Sequence, residues 1–205
     1  GKDHRWGMFW SLGLMWNIKN EPFLKDIEWL TGAQIALSTG TSGNSEIPYY
    51  DHLALVSGGP KYNDEAGIYP KQSGNEELSW EQTWSNNIGL RLGFFNRVNL
   101  DIDFYHKKTT DMLMSVPESY AITGEGYRWD NIGAMVNRGV EVSVNSDIIR
   151  TKDFTWNLNA NVSYNKNKLV ELYNGVQEYV NSTTGLKFVV GHPVHEYFLN
   201  RYAGV

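Results

Sequence analysis

The chain has 205 residues and sets 18 Lys and Arg against 23 Asp and Glu, a net charge of -5 that offers no basic footprint for a nucleic-acid backbone. Cysteine is absent, which removes disulfide scaffolds, zinc-thiolate sites and thiol nucleophiles. Mean hydropathy is -0.44 and no run approaches the roughly 20 apolar residues of a transmembrane helix, but a transmembrane β-barrel stays open, because its strands give only alternate residues to lipid.

The opening GKDHRWG has no apolar core followed by a small-residue cleavage site, and RYAGV closes without a terminal strand, so the chain reads as a segment of a longer one. Period-two alternation then marks the strands. Trp6, Met8, Trp10, Leu12, Leu14, Trp16 and Ile18 share one parity, against Arg5, Gly7, Ser11, Gly13 and Asn17, joined by Phe9 and Met15. A connection containing EPFLKDIEWL, with room for a short helical turn, leads to a weaker strand in which Ala33, Ile35 and Leu37 alternate with Gln34, Ala36 and Ser38.

Trp84, Ile88, Leu90, Leu92 and Phe94 alternate with Ser85, Asn87, Gly89, Arg91 and Gly93, and a tight FNR turn sends the chain back through Val98, Leu100, Ile102 and Phe104. A second hairpin pairs Val140, Val142 and Val144 with Phe154, Trp156, Leu158, Ala160, Val162 and Tyr164. Asn157, Asn159, Asn161 and Ser163 fill the opposite parity of its second strand. Turns within hairpins are short. The runs near 42–79, 106–136 and 165–187 are long and rich in Gly, Ser, Asn and Pro, and all leave at one end. The predicted fold class is all-β: an antiparallel up-and-down transmembrane barrel segment of about six or seven strands, with residues 1–205 as one partial barrel domain.

A soluble β-sandwich acting as a carbohydrate-binding module also alternates and is the second reading. Two features favour the barrel. Aromatics make up 14% of the chain, and on the apolar parity they gather near strand ends, at Trp6, Trp16, Trp84, Phe94, Phe104, Phe154, Trp156 and Tyr164, as interfacial girdles require. Arg91, Asp101, Asp103 and Glu141 all lie on the other parity. The two readings part over Trp10 and Leu90, which face outward in a barrel and pack between two sheets in a sandwich.

The residues carry a resemblance as well. NIGAMVNRGVEVSVNSDIIRTKDFTWNLNANVSYNKNKLVEL resembles the late-barrel signature of the SusC/RagA family of TonB-linked outer-membrane proteins, and ELSWEQTWSNNIGLRLGFFNRVNLDIDFYHKKTTDML resembles the family hairpin before it. FWSLGLMWNIKNEPFL and LSTGTSGNSEIPYY look like the segments upstream of these, and HPVHEYFLNRYAGV like the one downstream. The resemblance implies a barrel of about 22 strands with a plug domain absent from these residues. It further implies location in the bacterial outer membrane, a SusD-like lipoprotein over the extracellular mouth, coupling to TonB through regions missing here, and a glycan or peptide substrate. No cofactor is called for.

Under that resemblance, Tyr49 and Tyr50 in the first long loop and Tyr120, Tyr127 and Trp129 in the second are weak candidates for stacking on substrate; the plainer reading is that they pack the loops together. No catalytic residue is assigned. Asp101 and Asp103 point the same way, about 7 Å apart, a spacing compatible with inverting glycoside hydrolysis, although lumen solvation accounts for them more simply. No metal site is assigned either, because His106, His192 and His195 lack a convincing set of further ligands. GTSGN and SGGPK lack the strand, helix and Lys-Ser/Thr context of a phosphate loop.

Overall fold

The computed structural model describes residues 6–46, 50, 52–59, 61, 64–65, 67–117, 119, 127–181, 185–194, 196–197, 199 and 202–204, the side chains of 72, 117, 127 and 181 excepted. In chain order the strands are β1 (Ser11–Trp16), β2 (Leu30–Asn44), β3 (Leu55–Gly58), β4 (Ile68–Gln72), β5 (Glu81–Phe94), β6 (Val98–Thr110), β7 (Leu113–Pro117), β8 (Tyr127–Asn131), β9 (Ala134–Arg150), β10 (Thr155–Glu171), β11 (Glu178–Asn181), β12 (Leu186–Val189) and β13 (Glu196–Tyr197). Six of them form one antiparallel sheet in the order β1-β2-β5-β6-β9-β10. Each neighbour in that sheet is the next long strand along the chain, which is an up-and-down meander.

The short connections gather at one end. The FNR turn places Phe95 and Asn96 both at φ 55°, the left-handed geometry that suits a right-twisted hairpin. It is closed by a bond from the Arg97 amide to the Phe94 carbonyl (3.0 Å), while the Trp29 carbonyl accepts from the Phe95 amide (2.8 Å). Between β9 and β10, the Thr151 hydroxyl accepts from the Phe154 amide (3.0 Å). The connection from β1 to β2 opens with a 3-10 turn at Ile18–Asn20, and the Lys19 ammonium then donates to the carbonyls of Leu24, Lys25 and Ile27. That gathering of carbonyls by one cation folds the expected helical turn.

At the opposite end the long runs hold structure that the alternation did not announce. β3 and β4 pair within the first, β7 and β8 within the second, and β11, in the third, forms a small sheet with β12 and β13, which continue past the end of that run. The wall strands also run further into these stretches than expected: β2 reaches Asn44, β6 Thr110, and β10 Glu171.

Register carries side-chain parity from strand to strand. Trp16, Ile35, Leu90, Ile102, Val142 and Val162 are successive Cα partners, and so are Leu14, Leu37, Ile88, Phe104, Val140 and Tyr164. Directly opposed residues point to one face, so these two rows are continuous apolar belts across all six strands. The opposite face repeats small and polar residues, for example Ala36, Gly89, Asp103, Glu141 and Ser163.

The first row begins at the last residue of β1 but crosses the middle of β10, so the strands are inclined to the rows. With a tilt of about 40°, each step to the next strand lifts a row by about 3 Å and each residue climbs about 2.6 Å. Trp16 and Trp156 then share one level and Trp84 and Tyr164 another, about 22 Å away, close to the ~25 Å apolar band of transmembrane barrels.

Among the described residues no second sheet covers the apolar face. Leu14 is 64% exposed, Ile88 52% and Val162 67%, Trp10 is exposed and Leu90 half-buried. The chain exposes 14949 Å², whereas a compact monomer of 23.4 kDa exposes about 9,700 Å². A sandwich core is therefore missing, and the sandwich reading fails on the criterion that separated the two. Among the described residues no helix is long and apolar enough to cross a membrane.

The two faces predict opposite responses to charge. In the intact receptor reconstituted in lipid, Ile102→Arg should cost about 2–4 kcal/mol of barrel stability in a denaturant titration. Asp101→Asn, one residue away on the polar face, should stay within about 0.5 kcal/mol of the parent.

Candidate functional site

The polar face of the sheet is the candidate site, because it converges side chains of both charges with hydrogen-bonding groups. Its centre is Arg91 on β5. The next strand places Asp101 directly opposite and Asp103 diagonally, giving Nε to Asp101 Oδ1 of 3.8 Å and Nη2 to Asp103 Oδ1 of 3.9 Å. All three side chains are close to half exposed, so the triad is solvated and contributes modestly to stability. Both carboxylates answer to one guanidinium, an arrangement that orients charge across the β5–β6 pair.

Glycines make room on this face. A Cβ at Gly89, opposite Asp103, would lie 2.7 Å from that carboxylate's Oδ1. One at Gly139, opposite Tyr105, would lie 2.6 Å from the Tyr105 Cζ. The hydroxyl end of the Tyr105 ring therefore occupies the space a Cβ at Gly139 would need, and the Lys107 Nζ stands 5.5 Å from the ring centroid.

Two recesses open here. One, of about 460 Å³, is lined by Asn87, Asp103, Tyr105, Lys107, Asn137, Glu141 and Asn165. The other, of about 730 Å³ near the short-turn end, takes in Lys19, Gln34, Arg91, Asn99, Asp101 and Asn145. Both mix donors and acceptors in a way that suits hydrogen bonding to a polar chain or surface.

The loop aromatics are placed differently. Tyr50 is 64% exposed, and Trp129 lies half-buried on β8. Tyr49 and Tyr120 lie outside the described residues, and Tyr127 is described only as backbone at the start of β8. Asn75 donates both to the Trp129 carbonyl and to Asp130 Oδ1 (3.1 Å each), while Asn131 accepts from the Ser79 amide and donates to the Ser79 carbonyl. The β7–β8 hairpin is thus tied down to the segment leading into β5.

His106 is exposed on the apolar parity of β6, His192 Nδ1 meets Glu196 Oε2 at 3.1 Å, and His195 lies outside the described residues. Among the described residues no three metal-ligating side chains gather. Tyr105, Lys107, Asn137 and Asn165 were not singled out from the sequence, although their shared parity with Arg91 and Asp101 was the signal that could have found them.

Comparison with known proteins places this wall. Residues 1–202 match the family described as TonB dependent receptor-like, beta-barrel. The chain belongs to that family. It is 39% identical over 187 residues to the TonB-dependent receptor SusC of Bacteroides thetaiotaomicron, which covers 85% of this chain and 18% of that protein. It is 38% identical over 173 residues to a TonB-dependent receptor of Formosa agariphila, covering 84% of this chain and 17% of the relative. Among solved structures it superposes on the RagAB peptide importer in its closed-closed state with a TM-score of 0.87 and 36% identity, over 95% of this chain and 21% of that one. The chain spans about a fifth of the length of the proteins it matches. The apolar face is accordingly the outside of a receptor barrel, and the polar face its lumen.

Gly139 gives a test of the lumenal packing. Gly139→Val should displace Tyr105 and cost about 1–3 kcal/mol in a denaturant titration of the intact receptor. A Cβ at Gly139 would also press on the Tyr164 backbone carbonyl, so adding Tyr105→Ala should recover only part of that loss, and a purely additive pair would show that the two side chains do not share the site.

Proposed function

We propose that this chain is part of the outer-membrane wall of an importer for glycan or peptide fragments. A SusD-like lipoprotein covers the extracellular mouth at the long-loop end, and TonB supplies energy through segments outside these residues. The observation that carries the reading is the division of six registered strands into an apolar exterior belt with aromatic levels at both ends and a mainly polar, glycine-relieved interior. Placing the long loops outside the cell follows the habit of bacterial barrels, whose periplasmic turns are short.

The kinds of relative support the rest. SusC is a TonB-dependent receptor, and RagAB is a peptide importer. The role assigned here is transport rather than catalysis: the wall binds and guides through Arg91, Asp103, Tyr105, Lys107 and Glu141, and it breaks no bond. Substrate stacking falls to loop aromatics, with Tyr50, Tyr127 and Trp129, and Tyr49 and Tyr120 beside them in sequence, as the candidates.

Two measurements test this. The intact receptor should be found in the outer-membrane fraction together with a lipoprotein partner, and its deletion should abolish uptake of labelled oligosaccharides or of labelled peptides; a soluble receptor, or uptake of both classes undiminished, contradicts the proposal. Tyr50→Ala with Trp129→Ala should weaken binding of the transported ligand about two- to tenfold by calorimetry on the purified complex, the range expected for losing aromatic stacking. Unchanged affinity would return both residues to loop packing.

A further inference from the structure

The outward rows change character above the apolar belts. Where Ile88, Phe104, Val140 and Tyr164 end the belt, the next row on the same face reads Asn86, His106, Arg138 and Lys166, and the one beyond it Trp84, Lys108, Val136 and Lys168. Five exposed groups that are cationic or can become so therefore stand together on β6, β9 and β10, on the long-loop side of the belt. Among the described residues none of the five takes part in an ion pair. The wall carboxylates nearest in register, Asp101, Asp103 and Glu141, are committed to the other face.

A concavity joins the two chemistries. A groove of about 600 Å³ has Ile88, Phe104, Val140 and Tyr164 on its apolar side and His106, Arg138 and Lys166 on its basic side. A second groove of about 410 Å³ shares Arg138 and Lys166 with it and adds Lys168. By the tilt used above, Arg138 stands about level with Trp84 and Tyr164, and Lys168 about 10 Å higher. Headgroup phosphates occupy that height when the aromatics mark the interface.

We propose that this outward patch binds a phosphate-bearing lipid of the outer leaflet, with Arg138, Lys166 and Lys168 holding phosphate oxygens and the Ile88–Phe104–Val140–Tyr164 row taking an acyl chain. The proposal rests on the outer-membrane reading above. Charge complementarity selects the occupant: a zwitterionic lipid would leave the basic rows uncompensated, and an apolar partner would bury unpaired cations, which is costly. Arg138 supplies a planar fork for two phosphate oxygens, while the flexible lysines reach the headgroup from stems laid along the wall. His106, at the lower edge of the basic row, adds a donor to the phosphate.

The test uses the intact receptor purified from outer membranes in mild detergent and followed by native mass spectrometry. It is titrated in parallel with diphosphorylated lipid A, with the same lipid dephosphorylated, with phosphatidylethanolamine and with inorganic phosphate. The parent should bind the phosphorylated lipid at least tenfold more tightly than the other three. The Arg138→Gln, Lys166→Gln, Lys168→Gln variant should lose that binding by roughly a hundredfold, at about fivefold per cation. Arg138→Lys with Lys166→Arg should retain most of it.

Equal affinity of parent and triple variant, or no preference for the phosphorylated form, overturns the proposal and leaves ordinary annular lipid. Tight binding of inorganic phosphate alone overturns it in favour of a free-anion site, and loss of the lipoprotein partner with lipid binding unchanged does so in favour of a protein interface. Each variant is first checked for outer-membrane fractionation and heat-modifiable migration, so failure of the lipid site is distinguishable from failure of the barrel reading.

Discussion

A strand crossing lipid must bond its backbone groups entirely to neighbouring strands, since no water is available to satisfy them. That requirement locks register, and register locks parity: a slip of one residue between β6 and β9 would turn every valine of β9 from the outside to the lumen. The apolar row from Trp16 through Leu90 and Ile102 to Val162 is therefore one feature written across six strands rather than six separate patterns. The glycines follow from the same lock. Once Tyr105 and Asp103 are fixed opposite positions 139 and 89, only residues without a Cβ leave them space.

Function depends on the contrast between faces. The exterior has few packing partners within the chain, and its exposed Leu, Ile, Val and Trp are stable only where something apolar surrounds them. The lumen keeps Arg91 between two aspartates at distances near 4 Å, long enough for water to share in the contact. A wall of this kind offers many weak polar contacts and no deep one, which suits passage better than retention. At the long-loop end, Asn75 and Asn131 stitch the β7–β8 hairpin to the approach to β5.

Parity inside the belt was legible in the sequence because one face had to be apolar there. Leu90, Ile102 and Leu158 stood out against Arg91, Asp101 and Asn159, and the structure keeps them on opposite faces. Strand ends were not legible. Above the belt both faces can be polar, so alternation fades through Thr39, Asn86, His106 and Lys166 although the backbone pairing continues. The hairpins of the long runs were hidden for a related reason: YRWDN pairs with LMSVP through backbone bonds, and neither has a period-two core signature. The candidate aromatics depended on loop geometry, which composition does not encode, and the lumenal cluster around Tyr105 was passed over because its residues look like ordinary solvated positions when each strand is read alone.

The fading of alternation carries information of its own. If the outward rows beyond Tyr164 simply met water, carboxylates and cations would be interchangeable there, and a chain with more acids than bases would be expected to show both. Instead those rows on β6, β9 and β10 hold His106, Lys108, Arg138, Lys166 and Lys168, while Asp101, Asp103 and Glu141 of the same strands turn inward. Sorting by sign needs a field, and bulk water supplies none. A layer of fixed negative charge at that height supplies one, so the outward parity can be read level by level as a record of its surroundings: apolar where lipid chains lie, aromatic at their boundaries, and basic where phosphate begins.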